Sequence, residues 1–151
     1  MAANTDPIYT RTPDVQGAGA VVGPTANTNQ DGTSSSTSSS TLWVADATEG
    51  GFVQKVILKA VGSPAATVAR IFLHMTGGAF TIGTTNTAAN TNLVAELTLP
   101  AATSSQTVAQ NQYEIPLNIP VPAGYRLLIA FGTSTGASGT GYAATAIGGK
   151  Y

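Results

Sequence analysis

Residues 52–75 read FVQKVILKAVGSPAATVARIFLHM, and this stretch decides the fold class. Two apolar-rich runs flank a tight Gly62-Ser63-Pro64 link. Side chains alternate across a strand. In the first run Phe52, Val56, Leu58 and Ala60 therefore share one parity, and Val53, Lys55, Ile57 and Lys59 the other. In the second run Ala69, Ile71, Leu73 and Met75 face one way, and Val68, Arg70, Phe72 and His74 the other. Each run has an apolar face and a mixed, partly charged face, the pattern of a half-buried strand. The short link predicts that the two runs pair as a hairpin, with one side in a core and the other meeting solvent or a sister subunit.

The same alternation recurs toward the C-terminus. Leu93, Ala95, Leu97 and Leu99 alternate with Glu96 outward, and Pro100 stops the run. Tyr113, Ile115, Leu117 and Ile119 alternate with Gln112, Glu114, Pro116 and Asn118. Proline has no amide to give a ladder, so Pro116, Pro120 and Pro122 predict an edge or interrupted strand. Tyr125, Leu127, Ile129 and Phe131 share a parity, and a last strand is expected near Tyr142–Ile147 after a Gly-rich loop. Toward the N-terminus, Leu42–Ala45 is a short strand holding the only Trp, followed by the turn-forming DATEGG of residues 46–51.

No segment has a helical period. Many short strands with Gly, Pro and Asn turns predict an all-β chain: a single antiparallel β-sandwich, jelly-roll-like, of about eight short strands. An Ig-like Greek key satisfies the same periodicity. Residues 1–40 are expected to form an extended N-terminal arm and a flexible Ser/Thr-rich loop, and residues 41–151 the sandwich. The front is polar, with Pro7 and Pro13 discouraging helix. Ile8 and Tyr9 are its only large apolar pair, which favours an arm ordered against a neighbour over a solvent tail.

Composition excludes several function classes. The 151 residues suit one domain. Only 9% of residues are charged and the formal net charge is -1, so no basic face for nucleic acid exists. There is no cysteine, hence no disulfide, thiol chemistry or cysteine-bound zinc. The apolar runs are strand-length, too short to span a membrane as helices, and the first residues do not read as a signal peptide.

Candidate chemistry is sparse. His74 is the only histidine and is expected at a surface or interface. No G-x-S-x-G elbow accompanies it, and the serines cluster in loops rather than on a rigid turn. Glu96 and Glu114 both fall in strands, and paired carboxylates are the hallmark of glycosidases. Salt bridges to Lys55, Lys59, Arg70 or Arg126 account for both more simply. Asn27-x-Asn29-x-Asp31-Gly32 resembles the start of a calcium loop, but its twelfth position is Ser38 rather than Glu. An Asx-rich turn is the better expectation. Neither a cofactor nor a metal site is expected. Tyr113 and Tyr125 read as inward aromatics, which leaves Tyr9, Trp43 and Tyr151 as candidates for a partner surface.

Several segments taken together resemble small tailed-phage virion proteins: PIYTRTPDV, LWVADATEGGFVQKVILKAVG, ATVARIFLH, NTNLVAELTLPA, EIPLNIPVPAGYRLLIAFGT and AIGGKY. The likeness covers nearly the whole chain and lies in the order and spacing of the pieces. The Ser/Thr run of residues 33–41 departs from it. The resemblance is to capsid decoration (cement) proteins and other β-rich structural accessories of phage heads and tails. It implies a non-enzymatic β-sandwich that assembles as a homotrimer on the major capsid protein. Its place would be the virion's capsid surface, after synthesis in the host cytoplasm. No nucleic acid, membrane or small-molecule substrate is implied. Ile8, Tyr9, Arg11, Trp43 and Tyr151 are the expected partner-interface residues. The alternative is a tail or head-fibre accessory, an adhesin binding host-surface glycans through exposed aromatics.

Overall fold

The computed structural model describes residues 10–18, 22–23, 25–35 and 37–151. Among these residues eight strands form: β1 (Thr12–Gly17), β2 (Ser39–Val44), β3 (Gly51–Val61), β4 (Thr67–His74), β5 (Thr91–Leu99), β6 (Gln112–Val121), β7 (Arg126–Phe131) and β8 (Gly141–Lys150). They make two four-stranded sheets, sheet A in the order β1-β8-β3-β6 and sheet B in the order β2-β7-β4-β5. All pairings are antiparallel. Every successive connection except β4 to β5 crosses from one sheet to the other. That interleaving of two Greek keys is the jelly roll, and it decides between the two topologies left open by periodicity.

The expected hairpin of residues 52–75 does not form. β3 lies between β8 and β6 in sheet A, and β4 lies between β7 and β5 in sheet B. Each is an interior strand whose two hydrogen-bonding edges are already occupied. The link between them crosses the end of the sandwich, where Ala65 N–H donates to Thr135 O at 2.9 Å and Pro64 O accepts from Ala102 N–H at 3.0 Å. A half-buried strand shows the same alternation whichever sheet supplies its neighbour, so the local pattern left the pairing undetermined.

The parity of β3 also changes. Its register to both neighbours slips between Val53 and Lys55. The extra residue at Gln54 flips the faces on either side, as a β-bulge does. Val53 is consequently buried with Val56, Leu58 and Ala60, while Phe52 moves to the outer face with Lys55, Ile57 and Lys59. β6 is an edge strand, paired only with β3, as its prolines require.

The main core lies between the sheets. Leu58, Ile71, Leu99, Leu127, Ile129, Phe131 and Tyr142 are its largest members together with Trp43. Phe131 from sheet B and Tyr142 from sheet A stack with centroids 5.6 Å apart, and the Tyr142 hydroxyl donates to Pro100 O at 3.1 Å. The sandwich begins before residue 41: β1 runs along β8 from Thr12 paired with Lys150 to Gly17 paired with Thr145. Residues 12–17 are therefore sheet rather than arm.

Candidate functional site

The two outer faces of the sandwich differ, and the difference locates every charged side chain proposed as a site. On sheet B, β4 and β7 are apolar on both parities. Phe72, Leu128 and Ala130 form a second buried cluster, with Phe80 and Leu93 packed against it. The segment 25–35 and the β4–β5 connection cover this cluster. Asn86 fastens the two together: its Nδ2 donates to Gly32 O at 2.9 Å and to Ser34 Oγ at 2.6 Å, and its Oδ1 accepts from Gly83 N–H at 2.6 Å. Gly32 has φ +85 and lies so close that a Cβ there would fall 2.6 Å from Thr91 Cβ. Only glycine fits that approach. The described part of the Ser/Thr-rich region is thus packed against the sheet and is not a free spacer. Ser38 and Ser39 are themselves buried.

Arg70 lies under this cover. Its Nε donates to Glu96 Oε1 at 2.8 Å and its Nη1 to the carbonyl of Asn27 at 3.0 Å. Asn27 continues the anchor with its own N–H on Phe131 O at 2.7 Å. The turn that follows is built on Asx bonds. Asn27 Oδ1 accepts from Asn29 N–H at 3.0 Å, and Asp31 Oδ1 from Thr33 N–H at 3.0 Å. The Thr33 hydroxyl, and then its amide, hold the Asp31 carboxyl below the usual carboxylate range. The calcium-like spacing is an Asx turn, as the missing twelfth-position Glu implies. Among the described residues no group of three His, Asp or Glu side chains is placed to hold a metal ion.

His74 is 1% exposed, not at the surface. It ends β4 beneath the β4–β5 connection. Thr91 Oγ1 donates to Asn90 Oδ1 at 2.9 Å, so its oxygen is free to accept from His74 Nδ1 at 3.1 Å. Thr76 Oγ1 then donates to Nε2 at 2.7 Å. This assigns the proton to Nδ1. Burial, then the neighbouring Arg126 charge, lower the imidazole pKa from 6.5, against an opposing bond from Asn90. Both ring nitrogens are engaged by threonine hydroxyls, those of Thr91 and Thr76.

Glu96 and Glu114 do not form a pair. Glu96 bonds Arg70 on the outer face of sheet B. Glu114 bonds Lys55 at 2.9 Å on the outer face of sheet A, and that bond lowers its carboxyl pKa. Two carboxyls on opposite sides of a sandwich cannot share one glycosidic bond. Both ion pairs are ones that the sequence suggested.

The expected interface residues are dispersed. Ile8 and Tyr9 lie outside the described residues. Trp43 is fully buried in the main core, because the register of β2 slips between Thr41 and Trp43 and turns the indole inward. The ring packs against Gly51, where a Cβ would lie 2.6 Å from Trp43 Cη2. It is a core residue and not a partner aromatic. Arg11 is exposed and bridges Glu49, while its Nη2 also donates to Tyr151 O at 3.0 Å. Tyr151 is half-buried. Arg11 and Tyr151 therefore meet at the end of the sandwich where β1 begins and β8 ends.

No family model and no curated protein matches the chain. Among solved structures, that of the infectious bursal disease virus Gx strain aligns at 17% identity and TM-score 0.40, covering 99% of this chain and 36% of that one. A mutant VP2 protein of the same virus, from T=1 particles, aligns at 17% identity and TM-score 0.38 with the same coverage. The chain spans about a third of the length of these proteins. At that distance the likeness adds nothing to what the strand order establishes.

Proposed function

We propose that this chain is a non-enzymatic virion structural protein of a tailed phage, a decoration (cement) protein. It would bind the major capsid protein on the outer capsid surface as a homotrimer and stabilise the head. What supports this reading is the resemblance of the chain's segments, in their order and spacing, to small phage virion proteins, together with the jelly roll, a fold that viral capsid domains use. The side-chain chemistry agrees. The histidine is locked by hydroxyls, the two strand carboxylates are separated by the sandwich, and Trp43 is removed from the surface that a glycan-binding adhesin would need. Many copies bound by weak single contacts gain through multivalency, and a sparsely charged surface loses little to salt. Ile8, Tyr9, Arg11 and Tyr151 are the proposed contacts, of which Arg11 and Tyr151 meet near the start of β1.

Cryo-electron microscopy of the particle tests this directly. Density for the chain on the head lattice is the expected result, and density confined to the tail overturns the assignment. Light scattering on the purified chain checks the trimer. Deletion of residues 2–14 tests the arm together with the first residues of β1, and weakened particle association is expected.

A further inference from the structure

Charge is distributed unevenly along the sandwich. The connections 62–66, 100–111 and 132–140 meet at one end and contain no Asp, Glu, Lys, Arg or His. They present mostly Ser, Thr, Ala, Gly and Gln, with one exposed apolar side chain, Val108, and no aromatic side chain. Ser and Ala are depleted in protein interfaces, where aromatic residues, Met and Arg are enriched. The opposite end carries those enriched types: Arg11, Met75, Phe80, Tyr125, Arg126 and Tyr151. Its connections are packed together. Gly124 N–H donates to Asp46 O at 3.1 Å and Ala45 N–H to Tyr125 O at 2.9 Å, and a Cβ on Gly124 would lie 3.1 Å from Gly77 Cα.

One cation at this end has no counter-charge. Among the described residues Arg11, Lys55, Arg70 and Lys150 each have a carboxylate within 4.0 Å. Lys59 and Arg126 do not. Lys59 is a solvated side chain on the face of sheet A. Arg126 is held in place: its guanidinium carbon lies 4.4 Å from the Phe80 ring centroid, and Nη2 donates to Gly78 O at 3.1 Å. Its Nε is buried without a hydrogen-bond partner. The side chain is half-buried. A pre-ordered guanidinium on an aromatic ring loses little rotamer freedom on binding and matches a carboxylate geometrically.

We propose that the Arg126–Phe80 platform is a docking site for an acidic side chain of a protein partner, and that this end of the sandwich faces that partner. The inference deepens the virion reading and rests on it: the carboxylate would belong to the capsid lattice. The hydroxyl-rich end then points to solvent.

Sedimentation of the chain with phage heads stripped of it tests the proposal. Wild-type binding is the precondition, and its absence overturns the virion reading rather than this one. Arg126→Gln is expected to weaken binding at least tenfold, with Arg126→Lys between the two. Lys59→Gln removes the other unpaired cation and is expected to stay within twofold of wild type. A hexaglutamate peptide is expected to displace the wild-type chain and a hexalysine peptide to leave it bound, a comparison that needs no variant to fold. Wild-type binding that ignores both peptides, with Arg126→Gln bound equally well, overturns the proposal. So does an equal loss in Asp6→Asn, because the carboxylate would then be the chain's own.

Discussion

The two sheets of this sandwich solve the problem of their outer faces in opposite ways. Sheet B is closed over by its own chain. Phe72, Leu128 and Ala130 are buried on its far side, and asparagine and threonine side chains anchor the covering segments. Sheet A is left open. Its register aligns Pro13, Gly149, Phe52 and Pro120 in one row and Val15, Ile147, Lys55 and Pro116 in the next. Apart from Thr10, whose side chain lies over Gly149, these rows face outward, and Val15 is 62% exposed. A sheet buried on both faces reads as continuous apolar sequence, and one with a solvated face alternates. β7, with LLIAF at residues 127–131, is of the first kind. β3, with lysines at 55 and 59, is of the second.

The largest expected effect sets matched phenylalanines against one another. Phe72→Ala empties part of the second cluster and should cost about 3–5 kcal/mol in urea unfolding. Phe52→Ala, on the open face, should cost about 1 kcal/mol or less. Equal losses would show that the two faces are not energetically distinct.

Arg70→Met comes next. It leaves Glu96 without its cation and the Asn27 carbonyl without its donor, while keeping most of the buried side-chain volume. Removing one partner of a buried pair is costly. Because Glu96 is substantially exposed, solvent screening reduces the expected loss to about 2 kcal/mol. Lys55→Met on the open face should stay within about 0.5 kcal/mol of wild type, and a comparable loss there would erase the contrast.

Asn86→Ala should cost about 1–2 kcal/mol, since it orphans the buried Gly32 carbonyl. Amide hydrogen exchange should then accelerate in residues 76–90 and 25–35, with sheet A unchanged. Uniform acceleration would mean that the cover is not a separate cooperative unit.

The smallest effect is in pH. The folded His74 pKa lies below its unfolded value near 6.5, so below that pH the unfolded chain binds more protons than the folded one. Stability is full above the unfolded pKa and falls as pH drops toward the folded pKa. The melting temperature should decline between pH 7.5 and 5.5, above the carboxylate range, and His74→Gln should flatten the decline. An unchanged slope in His74→Gln would place the sensitivity elsewhere.

Much of the fold could be read from local pattern. The alternation in residues 93–99, 112–119 and 125–131 marked β5, β6 and β7, and the prolines of β6 marked an edge. Salt-bridge partners for Glu96 and Glu114 are suggested by the pattern, but on one shared outer face, whereas the pairs Arg70–Glu96 and Lys55–Glu114 lie on opposite sheets. The second cluster also left a signal, in the apolar residues on both parities of RIFLH (70–74) and RLLIAF (126–131). Arg70 and His74 mask it, because polar side chains among these residues suggest a solvated face.

The sequence by itself determined the class: short alternating strands with turn residues between them. These follow from period-two geometry and composition, which are local. The tertiary structure alone decided that β3 and β4 lie in different sheets, that slips at Gln54 and Leu42 turn Val53 and Trp43 inward, and that His74 is buried. Strand partners, bulges and covering segments depend on contacts between residues distant in the chain. No window of sequence around one strand contains the residue that will lie beside it.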